Sequence, residues 1–122
     1  MTGGNSVYHF YFSGFMQKKA HHYHLTLQYT KDNQGTAMTH PPVELDFTNH
    51  DDIFAIIERL KSRQLFSGEA EATEFAIGLK LFSEVLIRNW KHPLFEAFGP
   101  AFSDFMTRLK SGNFEKHTTS EG

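Results

Sequence analysis

Between Glu71 and Trp90 the chain reads EATEFAIGLKLFSEVLIRNW, and two apolar rows run through it. Phe75, Leu79, Phe82 and Leu86 recur at i, i+4, i+7 and i+11, one stripe of a helix. Ile77, Leu81 and Val85 recur every four residues on nearly the opposite side. The stretch is long enough for about five helical turns. A surface helix needs one apolar stripe, so two rows predict a central helix. Gly78 weakens a helix by about 1 kcal/mol relative to Ala, which points to a close approach at that position. Lys80–Glu84 and Glu84–Arg88 are i, i+4 pairs and mark a solvated strip between the rows.

Upstream the period changes to two. In HYHLTLQYT (22–30), Tyr23, Leu25, Leu27 and Tyr29 face one way, and His22, His24, Thr26 and Gln28 the other. Val43, Leu45 and Phe47 alternate with Glu44, Asp46 and Thr48 in the same manner. Between the two strands, KDNQG (31–35) is turn chemistry, and Pro41-Pro42 limits where the second strand starts. An antiparallel hairpin with a long connection follows.

Thr48 or Asn49 is a good helix N-cap, with Asp51 and Asp52 in the first turn, where the helix dipole favours negative charge. Ile53, Ile56, Ile57 and Leu60 then make one stripe, which predicts a helix over about 50–64. His92-Pro93 ends the central helix. From Leu94 to Leu109 a third apolar phase runs through Phe95, Phe98, Phe102, Phe105 and Met106. It survives Gly99-Pro100, either as one kinked helix or as a short turn followed by a second helix with Pro100 at its start. Ser111-Gly112-Asn113 is a stop. The fold class is α+β: an antiparallel β-hairpin followed by three helices, the second central.

At 122 residues the chain fits one domain with a sizeable core, and its 13 Phe make that core aromatic. Residues 16–112 hold the domain. Residues 1–15 (MTGGNSVYHFYFSGF) differ in composition and are read as a loosely ordered extension, and 113–122 as a disordered tail. The formal charge of −2 gives no reason to expect a nucleic-acid partner, and no apolar run approaches the ~20 residues of a membrane span. Without cysteine there are no disulfides or thiolate sites. Eight histidines would move the charge from −2 to +6 if all were protonated, so the surface can respond to pH.

His22 and His24, one strand face apart by two residues, are the best metal candidates, with His21 and His40 nearby. No third ligand is visible locally, and solvent-facing strand histidines explain the same pattern. Asn49-His50-Asp51-Asp52 resembles an acid–base cluster, but capping and dipole compensation account for it. No nucleophile elbow and no phosphate-binding glycine loop occurs, so neither a catalytic residue nor a cofactor is expected. The spare row Ile77, Leu81 and Val85, together with two open hairpin edges, predicts a homodimer.

The blocks NHDDIFAIIERLKSR (49–63), FAIGLKLFSEVL (75–86) and HPLFEAFGPAFSDFM (92–106) resemble a family of small bacterial proteins classed as a domain of unknown function. The resemblance spans about Gln17 to Lys110. It implies a small α+β fold and a cytoplasmic setting, and it carries no activity or catalytic residue. The expectation is therefore a self-associating, non-catalytic binding or regulatory module with an unidentified protein partner. The alternative is a small metal- or ligand-binding protein using the strand histidines and a Phe-rich pocket.

Overall fold

In the computed structural model, which describes residues 19–112, strand β1 (His21–Leu27) pairs antiparallel with β2 (Val43–Asn49). The expectations for 1–15 and 113–122 lie outside the described residues. Tyr23 faces Phe47, Leu25 faces Leu45 and Leu27 faces Val43, so the apolar sets of both strands share one face. On the other face His22 opposes Thr48, His24 opposes Asp46 and Thr26 opposes Glu44. The first strand stops at Leu27 rather than Thr30, and antiparallel pairing resumes next to the turn as a bridge between Lys31 and Ala37. The Asp32 carboxylate accepts the Gln34 and Thr36 amides at 2.9 Å each, and Gly35 supplies the left-handed angle (φ 86°) that the turn needs.

Among the described residues four helices follow: α1 (Ile53–Arg63), α2 (Glu69–Arg88), α3 (Pro93–Glu96) and α4 (Gly99–Ser111). The third apolar phase is thus split, with Pro100 in the first turn of α4, the second of the two sequence alternatives. His92 caps α3 by accepting the Leu94 amide at 3.0 Å, and Gly112 (φ 73°) closes α4. α1 starts later than expected. Its N-cap is Asp52, which accepts the Ala55 amide at 3.1 Å, while Asn49 stays in β2. The Asn49 side chain instead accepts the Asp51 amide at 2.9 Å and shapes the turn between strand and helix.

The core has two clusters strung along α2. Toward its N-terminal half, Ala72 and Ala76 meet Ile53, Ile57 and Leu60 of α1, with Tyr23 and Phe47 of the hairpin at the border. Toward its C-terminal half, Leu86 and Ile87 meet Phe102 and Met106 of α4. Leu109 packs against both clusters. Complete burial of a residue such as Leu86 stabilises by about 1.5–3 kcal/mol.

Helix α2 is central, as its two rows suggest, but its inward line differs from the expected one. Ala72, Ala76, Lys80, Ser83, Glu84, Leu86 and Ile87 are buried; of the expected stripe Leu86 is among them, whereas Phe82 is 44% exposed and Phe75 and Leu79 are half-buried. The strip read as solvated is the inward one in its middle. The reason is topological: the turn after β2 lands on α2 and brings polar partners to Lys80 and Glu84. Phe82 lies over the aromatic group of Phe95, Phe98 and Phe102, with ring centroids 6.1–6.4 Å away. Among the described residues a methyl at Gly78 would have no neighbour within 4 Å, so none of them makes the close approach expected there.

Candidate functional site

The turn from β2 into α1 and the buried strip of α2 together make a polar cluster. Lys80, 3% exposed, donates from Nζ to Asp51 Oδ2 at 2.6 Å. Asn49 Nδ2 donates to Glu84 Oε2 at 3.3 Å, and both side chains are buried. His50 sits between the two carboxylates, with Nε2 3.6 Å from Asp51 and Nδ1 3.9 Å from Glu84. Arg88 closes on the far oxygen of Glu84 at 3.8 Å. Tyr23 locks the turn from below: its hydroxyl donates to the Asp51 carbonyl at 3.0 Å and accepts the Ile53 amide at 2.9 Å.

Chemically, this arrangement satisfies charges taken out of water. An ammonium as buried as that of Lys80 is tolerated only with a partner and hydrogen bonds. The His50 imidazole lies between two carboxylates, and Ser83, fully buried on the same strip of α2, donates to the Lys80 carbonyl at 3.4 Å. Of the tetrad Asn49–Asp52 the sequence reading anticipated capping. That role falls to Asp52 alone, while Asn49 holds the Asp51 amide in the turn and His50 and Asp51 turn inward to α2. Glu84 and Lys80 are the residues that sequence reasoning missed. Their signal was present: a lysine and a glutamate four apart, flanked by apolar rows on both sides.

Asp51 and Lys80 also line a cleft of about 230 Å³ between α1, α2 and α4. Its apolar lining includes Ile56, Leu60, Leu79 and Met106, and its charged lining Arg59, Arg63 and Lys110. Arg63 is steered by the end of α4, donating from Nη1 to the Leu109 carbonyl at 2.9 Å. Burial, and next to it the Lys80 ammonium, hold the Lys110 amine below the usual lysine value. A second cleft, of about 250 Å³, is Phe-rich and bounded by Leu65, Phe66, Phe75, Phe105, Arg108 and Leu109.

The strand histidines lie apart from this cluster. His22 and His24 do share the outer face of β1. His24 is clamped across the strands, Nδ1 2.6 Å from Asp46 and Nε2 2.6 Å from Glu44. Hydrogen bonds to Asp46 and then Glu44 raise its pKa above the ordinary histidine value. Thr26 and then His24 hold the Glu44 carboxyl below its ordinary range. His40 is elsewhere, with Nδ1 2.7 Å from the Pro41 carbonyl and its ring 6.5 Å from Tyr29. Among the described residues no group of three or more His, Asp or Glu side chains is placed to hold a metal ion. Ile77 packs toward the α1 cluster, Leu81 is half-buried and Val85 is 42% exposed.

These elements define a small α+β domain, a hairpin with a helical layer and an internal polar cluster. The chain belongs to DUF3861, a domain of unknown function with a solved structure, whose family model matches residues 21–111. It is similar to a crystal structure of a protein of unknown function from Pectobacterium atrosepticum, with 30% identity and a TM-score of 0.66. That similarity covers 76% of this chain and 99% of the other. No curated protein matches. Among the described residues no helix is long and apolar enough to cross a membrane.

Proposed function

We propose that this protein is a non-catalytic binding module of the bacterial cytoplasm that works as a homodimer, with two hairpins packed face to face. The observation that carries this reading is the far half of the hairpin. Tyr23 and Phe47 are held near α1, where Tyr23 stacks on Phe47 at 5.3 Å and Phe54 at 6.4 Å. Beyond them the same apolar face is open: Leu45 is 43% exposed, Val43 56% and Leu27 64%. A two-stranded ribbon is marginal alone, and sheets with one apolar face gain stability by stacking at about 10 Å. A two-fold partner covers that face with its own copy. Glu44 and Asp46 make edge-to-edge pairing of β2 with its copy repulsive, which favours face packing over strand addition. The bacterial source of the structural relative supports the setting.

Light scattering tests the proposal. The expected mass is about twice the 14.0 kDa of the chain at micromolar concentration. The Leu27→Lys, Val43→Lys double variant is expected to be a folded monomer, since both side chains are exposed. A dimer that survives this change but dissociates in Leu81→Glu would move the interface to the Leu81/Val85 side of α2. A wild-type monomer would remove the assembly reading.

A further inference from the structure

The cleft between α1, α2 and α4 joins cationic side chains to an apolar wall. Four cationic side chains line it: Arg59 and Arg63 from α1, Lys80 from α2 and Lys110 from α4. Two carboxylates line it too, Asp51 and Asp52. Both are engaged, Asp51 with Lys80 at 2.6 Å and Asp52 as the cap on α1. The lining is thus net positive in a chain whose formal charge is −2. Arg59, Arg63 and Lys110 are exposed and stand at the mouth, while buried Lys80 stands at the base.

Between the charges the wall is apolar, formed by Ile56, Leu60, Leu79, Met106 and Leu109. Inorganic anions gain nothing from such a wall, and neutral apolar molecules gain nothing from the cations. The volume, about 230 Å³, is below the roughly 300–1,000 Å³ of drug-sized ligand sites, so the occupant is small. We infer that this cleft binds a small organic acid: a compact aryl or short acyl body against the apolar wall, with its carboxylate among Arg59, Arg63 and Lys110. The Lys80 and Lys110 ammonium groups repel one another, and an anion placed in the cleft relieves that repulsion while losing little water on the apolar side. Partial burial, and after it the Lys80 ammonium, hold the Lys110 amine low, against the opposing pull of Asp51. This site is separate from the hairpin face and does not depend on dimer formation.

The test is an amide NMR titration of the full chain with sodium benzoate and sodium hexanoate, with benzyl alcohol and inorganic phosphate as controls. At least one acid is expected to give saturating shifts at Ala55, Leu60, Lys80 and Lys110 in the millimolar range, with neither control saturating there. The Arg59→Gln, Lys110→Gln double variant changes only exposed side chains. It should keep the wild-type Tm and bind that acid about tenfold more weakly, as expected on losing charge-assisted hydrogen bonds. Three results would overturn the proposal: no saturation by either acid, equal binding of acid and a control, or unchanged affinity in the double variant.

Discussion

Lys80 Nζ lies 2.6 Å from Asp51 Oδ2, and the Lys80 side chain is 4% exposed. A lysine in the middle of α2 thereby ties the turn after β2 to the helix that organises the core. Asp51 is 24% exposed, so the pair is dry on one side and wet on the other. Removing one member strands a charge, whereas removing both does not.

Lys80→Met is therefore expected to destabilise by about 2–4 kcal/mol, below the full cost of breaking a wholly buried pair because Asp51 keeps some water. The Asp51→Asn, Lys80→Met double variant should recover a large part of that loss. Chemical denaturation of both variants measures it. Additive losses would mean that the two residues act separately.

Gly78 offers a gain. It lies inside α2, is exposed, and has room for a methyl group. Gly78→Ala should stabilise by about 0.5–1 kcal/mol through helix propensity and a less flexible unfolded chain. A higher denaturation midpoint with an unchanged slope is the expected outcome. A loss of stability would mean that a partner surface approaches Gly78 closely.

The clamp on His24 makes the hairpin respond to pH. The folded state holds the His24 pKa up, by hydrogen bonds to Asp46 and Glu44. Its stabilisation is thus fully present below the unfolded value of about 6.5 and is lost as pH rises through the higher folded value. Glu44 is shifted down, so its contribution is present above the unfolded carboxylate value and is lost as pH falls through the folded one. The clamp is strongest between these limits. An NMR titration of the His24 ring should show a midpoint above 6.5, moving back toward 6.5 in Asp46→Asn. A midpoint that Asp46→Asn leaves in place would assign the shift to another cause.

Periodicity alone determined the hairpin, the order of its helices and the central place of α2, because a period of two or 3.6 is a local property that any packing must respect. Turn chemistry was equally local: Asp32 and Gly35 in the long connection, Pro100 at the start of α4 and Gly112 at its end behave as their residue types require. The tertiary structure decided what each face meets. Lys80 and Glu84 look like ordinary solvated helix residues until the β2–α1 turn is laid against them. Phe82 looks like core until the Lys80–Glu84 side turns inward. Likewise, neither His24 between Asp46 and Glu44 nor Lys110 beside Lys80 follows from spacing, since each depends on strand register or on which helices share a cleft. Charges pair, and clefts form, between segments about 20 to 60 residues apart in the chain, and hydrophobic period carries no information about such partners.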